Sequence, residues 1–560
     1  MRPVKHLILF FLLLSALTLV AYYYLGRPAP GIDDADIFLN YARRLAHGEG
    51  FVFNKGGERV EGFTSLLWVV LCSAFYHLTA HPETLIVVFQ LMLTSLTVTM
   101  IYEEVVKDLA DYAPPTLQRY FIYIFCGYII CIGPSFVTWS VLSLMENALW
   151  NFLYTAILIL LLRNYSGGTP SPANKILLLV LAPLLILCRP EAMAWIIFFT
   201  GALVWIYRKK GLGLLFPALF LSLSVITIVA LVLFRTHYFG YPLPNTYYAK
   251  VSPDRWYNLI NGLRYVQNFL ARYNPFVTLL VLALMLNLLF AWQWRSSPRL
   301  VLLSLLTWMA VFLPCVTGDD HFGGFRFYQY LLLPAIWGIP VLFQFYKSNT
   351  RLYLGGVVLL FCAFFAINSL FGLKSAPHND IEREFTLAAD GKATAKELNA
   401  FFSQAGGRPS AAVIAVGGFA LDYDGPTVDL MGLNDKKMGH SPGDRKGIRD
   451  HAAFNKDVFY QEQPDIVMPS IVTSQREATN LYNGLLDPAN FENRAMKNIF
   501  TEQRFQTQYV STMVTSKATG KSIFMFCSAR WLPTLSKDSS LTLTTLQPHA
   551  TSGQLYLSER

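Results

Sequence analysis

Residues 31–68 read GIDDADIFLNYARRLAHGEGFVFNKGGERVEGFTSLLW, a charged insert between an apolar run at 7–24 and another that opens at Thr64. Asp33, Asp34 and Asp36 lead a stretch in which Ile37, Leu39, Tyr41, Ala42 and Leu45 recur at helical spacing, so the acids start an interfacial helix whose N-terminus tolerates carboxylates. An apolar run before such a helix and another after it make sense only if the chain enters and leaves a membrane around it. Composition agrees. Of 560 residues 54% are hydrophobic and 14% charged, against about 25% charged in soluble domains. The deficit is uneven: residues 374–560 hold 40 charged side chains, while the first 373 residues hold 41. Two solvents are implied. The sequence predicts a polytopic α-helical membrane domain over 1–373, with a first extracytoplasmic loop at 26–63. It predicts a soluble α/β domain over 374–535 and a mobile Ser/Thr/Leu-rich tail over 536–560.

The net charge of +9 does not point to nucleic acid, because much of the excess sits in short loops where bilayer orientation explains it. Arg208, Lys209 and Lys210, then Arg295 and Arg299, then Lys347 and Arg351 mark cytoplasmic span ends. Counting outward places the segments around Arg189, Asn245 and Asp319, and everything after about Gly372, on the opposite side. The opening run at 7–24 is too long for a signal peptide and lacks a small-residue cleavage site, so it reads as a retained first span. Between Gly31 and Glu146, both expected outside, lie three apolar segments at 64–80, 84–102 and 120–133. An even number must cross, so one of the first two is re-entrant, interfacial or half of a broken helix. Further runs at 148–163, 175–188, 192–208, 213–235, 275–294, 298–315, 328–346 and 351–372 bring the expectation to about 11 spans. The stretch SGGTPSPAN at 166–174 reads as a cytoplasmic loop. In the soluble part, apolar strands are expected at 411–416, near Val428 and at 466–469.

Ionisable residues gather on one side: Glu146 in SLMENALW, Arg189 and Glu191 in LCRPEAMAW, Asn245, Tyr247 and Lys250 in PLPNTYYAK, and Asp319, Asp320, His321 and Arg326 in TGDDHFGGFRFYQY. Such groups at membrane depth are costly and by default mark a site. Paired carboxylates beside cations have a direct use: one takes a proton from an acceptor hydroxyl while the cations hold an anionic leaving group. Asp319, Asp320 and His321 also suggest ligands for a divalent cation, although their spacing matches no recognised metal pattern. Two other readings compete. A transporter or flippase for lipid-linked sugars predicts a midplane site and related halves, and no repeat is visible. In a non-catalytic envelope assembly protein, Asp33 and Asp34 would only cap a helix.

The same residues resemble a known pattern. The run from Asp33 and Asp34 through Tyr41, Ala42, Arg43, Gly48, Gly50, Asn54, Glu58, Arg59, Val60, Glu61, Gly62, Thr64, Leu67 and Trp68 is similar to the first extracytoplasmic loop of GT-C glycosyltransferases of the mycobacterial terminal β-(1→2) arabinofuranosyltransferase (AftB-like) kind. The similarity continues at Met145-Glu146, Arg189-Pro190-Glu191, 244–250, 318–327, 428–435 and 464–467. It departs where the family's Gly-Gly-Asp stands here as Thr317-Gly318-Asp319. The resemblance implies an inverting GT-C transferase of the bacterial inner membrane, with its active site and C-terminal domain in the periplasm. The implied donor is a polyprenyl-phosphate-linked sugar, arabinofuranose or similar, and the acceptor a cell-envelope glycan, lipid-glycan or protein. It makes Asp33 or Asp34 the general base. It places Arg43, Glu61, Thr64, Trp68, Glu146, Arg189, Glu191, Asn245, Tyr247, Lys250, Asp319, Asp320, His321 and Arg326 around the substrates.

Overall fold

The computed structural model describes residues 2–166, 170–294, 298–347, 380–402 and 408–547. The expected span at 351–372, with Arg295 and Arg351, lies outside them. Among the described residues, seven helices are long and apolar enough to cross a membrane, or up to nine if two bent helix pairs each count as one span. The protein is a multi-pass membrane protein with a C-terminal mixed-sheet domain. Two expected runs are shorter than a full span: 64–80 becomes the 11-residue helix Leu66–Tyr76, and 175–188 becomes the 17-residue helix Pro172–Cys188. At 1.5 Å per residue the first reaches about 16 Å, roughly half of a hydrocarbon core.

The chain divides into two compact units, each built from separate stretches. The first comprises Met1–His47, Thr64–Leu243 and Ser252–Thr386; the second comprises Gly48–Phe63, Pro244–Val251 and Leu387–Arg560. The boundary therefore differs from a simple cut near residue 373, because the later part of the first loop, Gly48–Phe63, and the Asn245 segment belong with the C-terminal sheet.

In the first unit, the helix Glu83–Tyr112 connects two polar clusters. Near one end, the Gln90 carboxamide donates to the Met145 carbonyl. Fourteen residues on, about 21 Å along the axis, Glu104 and Asp108 are buried among Arg163, Lys107, Arg299 and the Trp337 indole. Carboxylates this deep persist only when paired and hydrogen-bonded, and here the partners come from several helices. The helix Pro115–Val137 carries Pro134 and runs into a π-helical turn, Thr138–Leu142. The Thr138 hydroxyl donates to the Pro134 carbonyl, 2.6 Å away, re-satisfying backbone that the distortion loosens. A third distortion is the 118° bend between Arg255–Arg272 and the apolar helix that follows.

The second unit is a six-stranded sheet in the order β2-β1-β3-β5-β4-β6, where β1 is Ala411–Val413, β2 Thr427–Asp429, β3 Ile466–Val472, β4 Tyr509–Ser516, β5 Ser522–Ser528 and β6 Leu541–Thr545. The expected strands at 411–416, Val428 and 466–469 are β1, β2 and β3, paired in parallel; the other pairings are antiparallel. Strand β6 lies beyond residue 535, within the segment expected to be a mobile tail, and pairs along β4. The core beside the sheet is aromatic, with Phe454, Phe459, Phe500, Phe505, Phe524 and Phe526 buried.

Candidate active site

The acidic helix is Asp33–Ala46. Its N-cap is Ile32, which makes no side-chain cap bond, so neither Asp33 nor Asp34 fills the capping position that a purely structural reading assigns them. Both stand in the first turn, where the helix dipole favours negative charge. The turn is held from outside the helix: the backbone N–H groups of Gly31 and Ile32 donate to the carbonyls of Leu142 and Ser143 at 3.0 and 3.3 Å. Gly31 has a φ of +103°, and a Cβ there would meet the Leu144 side chain at 3.3 Å and Asp36 at 3.4 Å.

The receiving segment, 142–145, is held from several sides. Leu144 is buried with φ at +58°, a left-handed conformation costing about 1–3 kcal/mol that persists only where surroundings over-determine it. Those surroundings are identifiable. The buried Trp68 indole donates to the Leu144 carbonyl at 3.0 Å, and Gln90 donates to that of Met145. The strained turn delivers Glu146, wholly buried, at the start of the helix Asn147–Ser166.

Two arginines connect the acids. Arg189 follows the helix Pro172–Cys188; its Nη1 donates to Glu146 Oε1 at 2.6 Å, and its Nε and Nη2 grip Glu191 at 3.2 and 2.7 Å. Burial pushes the Glu191 carboxyl up, but the charge and hydrogen bonds of Arg189 outweigh it and hold it below the usual carboxylate range. Arg326 follows Phe325, another non-glycine residue at positive φ. It donates from Nε and Nη2 to the two oxygens of Asp320, both at 3.0 Å, and its Nη1 lies 3.9 Å from Asp34. The Phe327 ring sits between the guanidinium groups, 5.6 Å from Arg189 and 5.3 Å from Arg326. Trp150 and Phe322 face them from other directions.

A cavity opens here, lined by Arg189, Glu191, Arg326, Phe327, Tyr330, Trp150, Asn147, Asn151, Leu313 and Pro314. All belong to the first unit. Each guanidinium has five N–H donors. Arg189 and Arg326 spend three and two of them on the bonds given above, keeping others for a ligand. The structure therefore joins Asp34, Asp320 and Arg326, and joins Glu146, Arg189 and Glu191, through two arginines that line one cavity. Asp319 and His321 are half-buried beside Asp320, with the His321 ring tilted by 32° against Phe322 at a centroid distance of 4.0 Å. The divalent-cation reading of this loop meets a competitor, because both oxygens of Asp320 already accept from Arg326.

Other residues singled out in the sequence serve different local purposes. Trp68 fixes the Leu144 turn, and Thr64 precedes its helix, which is capped by the Ser65 hydroxyl. Arg43 donates to Asn40 on the acidic helix. Glu61, Asn245, Tyr247 and Lys250 belong to the second unit. There the Asn245 N–H donates to the Glu61 carbonyl, and its carboxamide donates to the carbonyls of Gly432, Leu433 and Asp435 at 2.8, 2.9 and 3.2 Å. Tyr247 is 46% exposed.

Asn147 stands beside Glu146 in the SLMENALW stretch that the sequence marks as polar; Trp150, Asn151, Tyr330 and Glu384 escape sequence reading. The first two lie about one helical turn past Glu146, a proximity that was available as a signal. Glu384 is in the helix Asp380–Phe401, its first turns in the first unit. Burial raises its carboxyl, His321 opposes this, and Asp34 and Asp33 raise it further, up to about 7.

No protein-family profile and no curated protein sequence matches the chain. Among solved structures, it is similar to the apo crystal structure of the Archaeoglobus fulgidus oligosaccharyltransferase, with 11% identity and a TM-score of 0.45 over 94% of this chain and 74% of that one. A structure of the archaeal oligosaccharyltransferase AglB from the same organism, in complex with an inhibitory peptide and a dolichol-phosphate, gives 10% identity and a TM-score of 0.46 over 95% and 74%. Likeness at this level does not carry substrate or mechanism across.

Proposed function

We propose that this chain is a GT-C-type membrane glycosyltransferase that moves a sugar from a polyprenyl-phosphate carrier to a hydroxyl of a cell-envelope acceptor, with inversion. In this reading it is a protein of the bacterial inner membrane, and its site faces the periplasm. The observation that carries the proposal is a cavity lined by two half-buried arginines, each locked to carboxylates, one of which also comes within 3.9 Å of Asp34 on an independently anchored helix. Glycosyl transfer needs that combination. Asp34 or Asp33 takes the proton of the acceptor hydroxyl as its oxygen attacks the anomeric carbon. The bond from that carbon to the phosphate oxygen breaks, and the electron pair leaves with the phosphate. Positive character on the sugar ring is met by Glu146 or Glu191, and negative charge on the departing phosphate by the remaining N–H donors of Arg189 and Arg326. Both arginines are pre-set by their carboxylates and need little reorganisation. No step is assigned to a cation.

The sugar, arabinofuranose by the first-loop resemblance, and the acceptor are set by chemistry outside the arginine–carboxylate frame. A transporter reading lacks support from a second, related half. The decisive test is Asp33→Asn and Asp34→Asn in purified full-length protein, with a polyprenyl-phosphate-linked sugar as donor. At least one variant is expected to insert and fold normally yet lose transfer by 100-fold or more, within the range of about 10²–10⁴ for general-base catalysis. Full activity in both would reject the base assignment.

A further inference from the structure

The helix Asn147–Ser166 opens with two carboxamides one turn apart, Asn147 and Asn151, both lining the cavity and only 4% and 3% exposed. Each has a buried Oδ1 without a hydrogen-bond partner among the described residues. The one bond from the Asn151 amide nitrogen, to the Ser140 hydroxyl, is stretched to 3.4 Å. Buried, unsatisfied carboxamides are destabilising. Two on successive turns, facing the same cavity, are costly to keep unless a ligand completes them.

What completes them is constrained. A carboxamide presents a donor and an acceptor side by side, complementary to a hydroxyl, which also does both. The two arginines of the wall, by contrast, are already outnumbered by carboxylates: Glu191 in the lining itself, and Glu146, Asp320 and Asp34 paired to the same guanidinium groups. A ligand carboxylate would add repulsion, whereas a phosphodiester can use the free guanidinium N–H groups. Trp150 and Tyr330 add aromatic wall, their rings edge to face at 6.0 Å.

We propose that Asn147 and Asn151 are the sugar-reading residues of the donor pocket, and that they select a neutral, hydroxyl-bearing glycosyl unit over a uronic acid. This rests on the transferase reading above and names its donor class. The two residues are specificity determinants; the proton transfer does not involve them.

The test measures equilibrium binding of three probes to purified full-length protein: a polyprenyl phosphate, the same lipid carrying one neutral pentosyl or hexosyl unit, and the same lipid carrying a uronosyl unit. Wild type is expected to bind the neutral glycosyl lipid most tightly. Loss of two hydrogen bonds in Asn147→Ala/Asn151→Ala is expected to weaken that binding by roughly 5- to 100-fold, while the bare polyprenyl phosphate changes by less than about 2-fold. Asn147→Leu, close in size and without a polar group, provides the folding control. It is expected to keep or raise the thermal midpoint while still losing discrimination. Equal losses for all three lipids, no loss for any, or a fall in the thermal midpoint of Asn147→Leu would overturn the assignment while leaving the transferase reading in place. Wild type that binds none of the lipids would overturn both.

Discussion

Replacing Glu384 by Gln gives a prediction whose size and sign follow from its surroundings. Its carboxyl moves from 4.5 to about 7 through burial and the nearby aspartates, despite His321. The unfolded chain releases this proton near pH 4.5, while the folded chain keeps it until about pH 7. Below the lower value both states are protonated and the raised pKa costs nothing. Between the two values the native state binds more protons, so stability falls as pH rises. Above pH 7 the full deficit is present. At about 1.4 kcal/mol per unit it reaches about 3 kcal/mol, an upper limit because Glu384 is only partly buried and water screens it. Glutamine carries no titrating proton, so Glu384→Gln should match wild type near pH 4.5 and exceed it by up to that amount at pH 8. Thermal unfolding of the full chain in detergent, wild type and variant side by side at pH 5 and pH 8, reads the difference of differences; a few degrees is expected at pH 8. Parallel behaviour at both pH values, or a less stable variant at pH 8, would refute the reasoning.

Further outcomes follow from individual contacts. Asn245→Ala removes the amide that serves three backbone carbonyls of 432–435; at about 1–3 kcal/mol per unsatisfied buried group, proteolysis should begin in that segment before the sheet is attacked. Arg299→Ala leaves Glu104 and Asp108 buried with one fewer cation. A loss of about 3–5 kcal/mol is expected, read as lower yield and thermal midpoint, and Arg299→Lys should recover only part because a single ammonium cannot reproduce the guanidinium's contacts with both acids.

Much of this architecture is visible in the chain. Helical spacing after Asp33 and the solitary glutamate at 146 mark two partners of the arginines that line the cavity, because both conflict with their apolar surroundings and the conflict is local. What escapes sequence reading is non-local or conformational. The left-handed Leu144 and Phe325 carry no compositional mark, since neither is glycine or asparagine. Asn54 and Asn245 look like loop residues until their amides meet partners far along the chain: Asn54 exchanges two hydrogen bonds with Thr427, 373 positions away. Glu384 sits in a polar helix whose composition gives no hint that this carboxyl is buried. The run at 64–80 is apolar enough for a span, yet Ser65 caps a helix that ends at Tyr76, and only the structure shows how short it is.

Because the second unit is stitched from stretches 48–63, 244–251 and 387 onward, its assembly runs against the order of synthesis. The ribosome makes Asn54 and Glu58 hundreds of residues before Thr427 and Lys436, whose backbone groups they bind. Until the last third of the polypeptide emerges, these early loops have no mates within their own unit. A recombinant fragment starting near residue 374 would lack both of the earlier stretches.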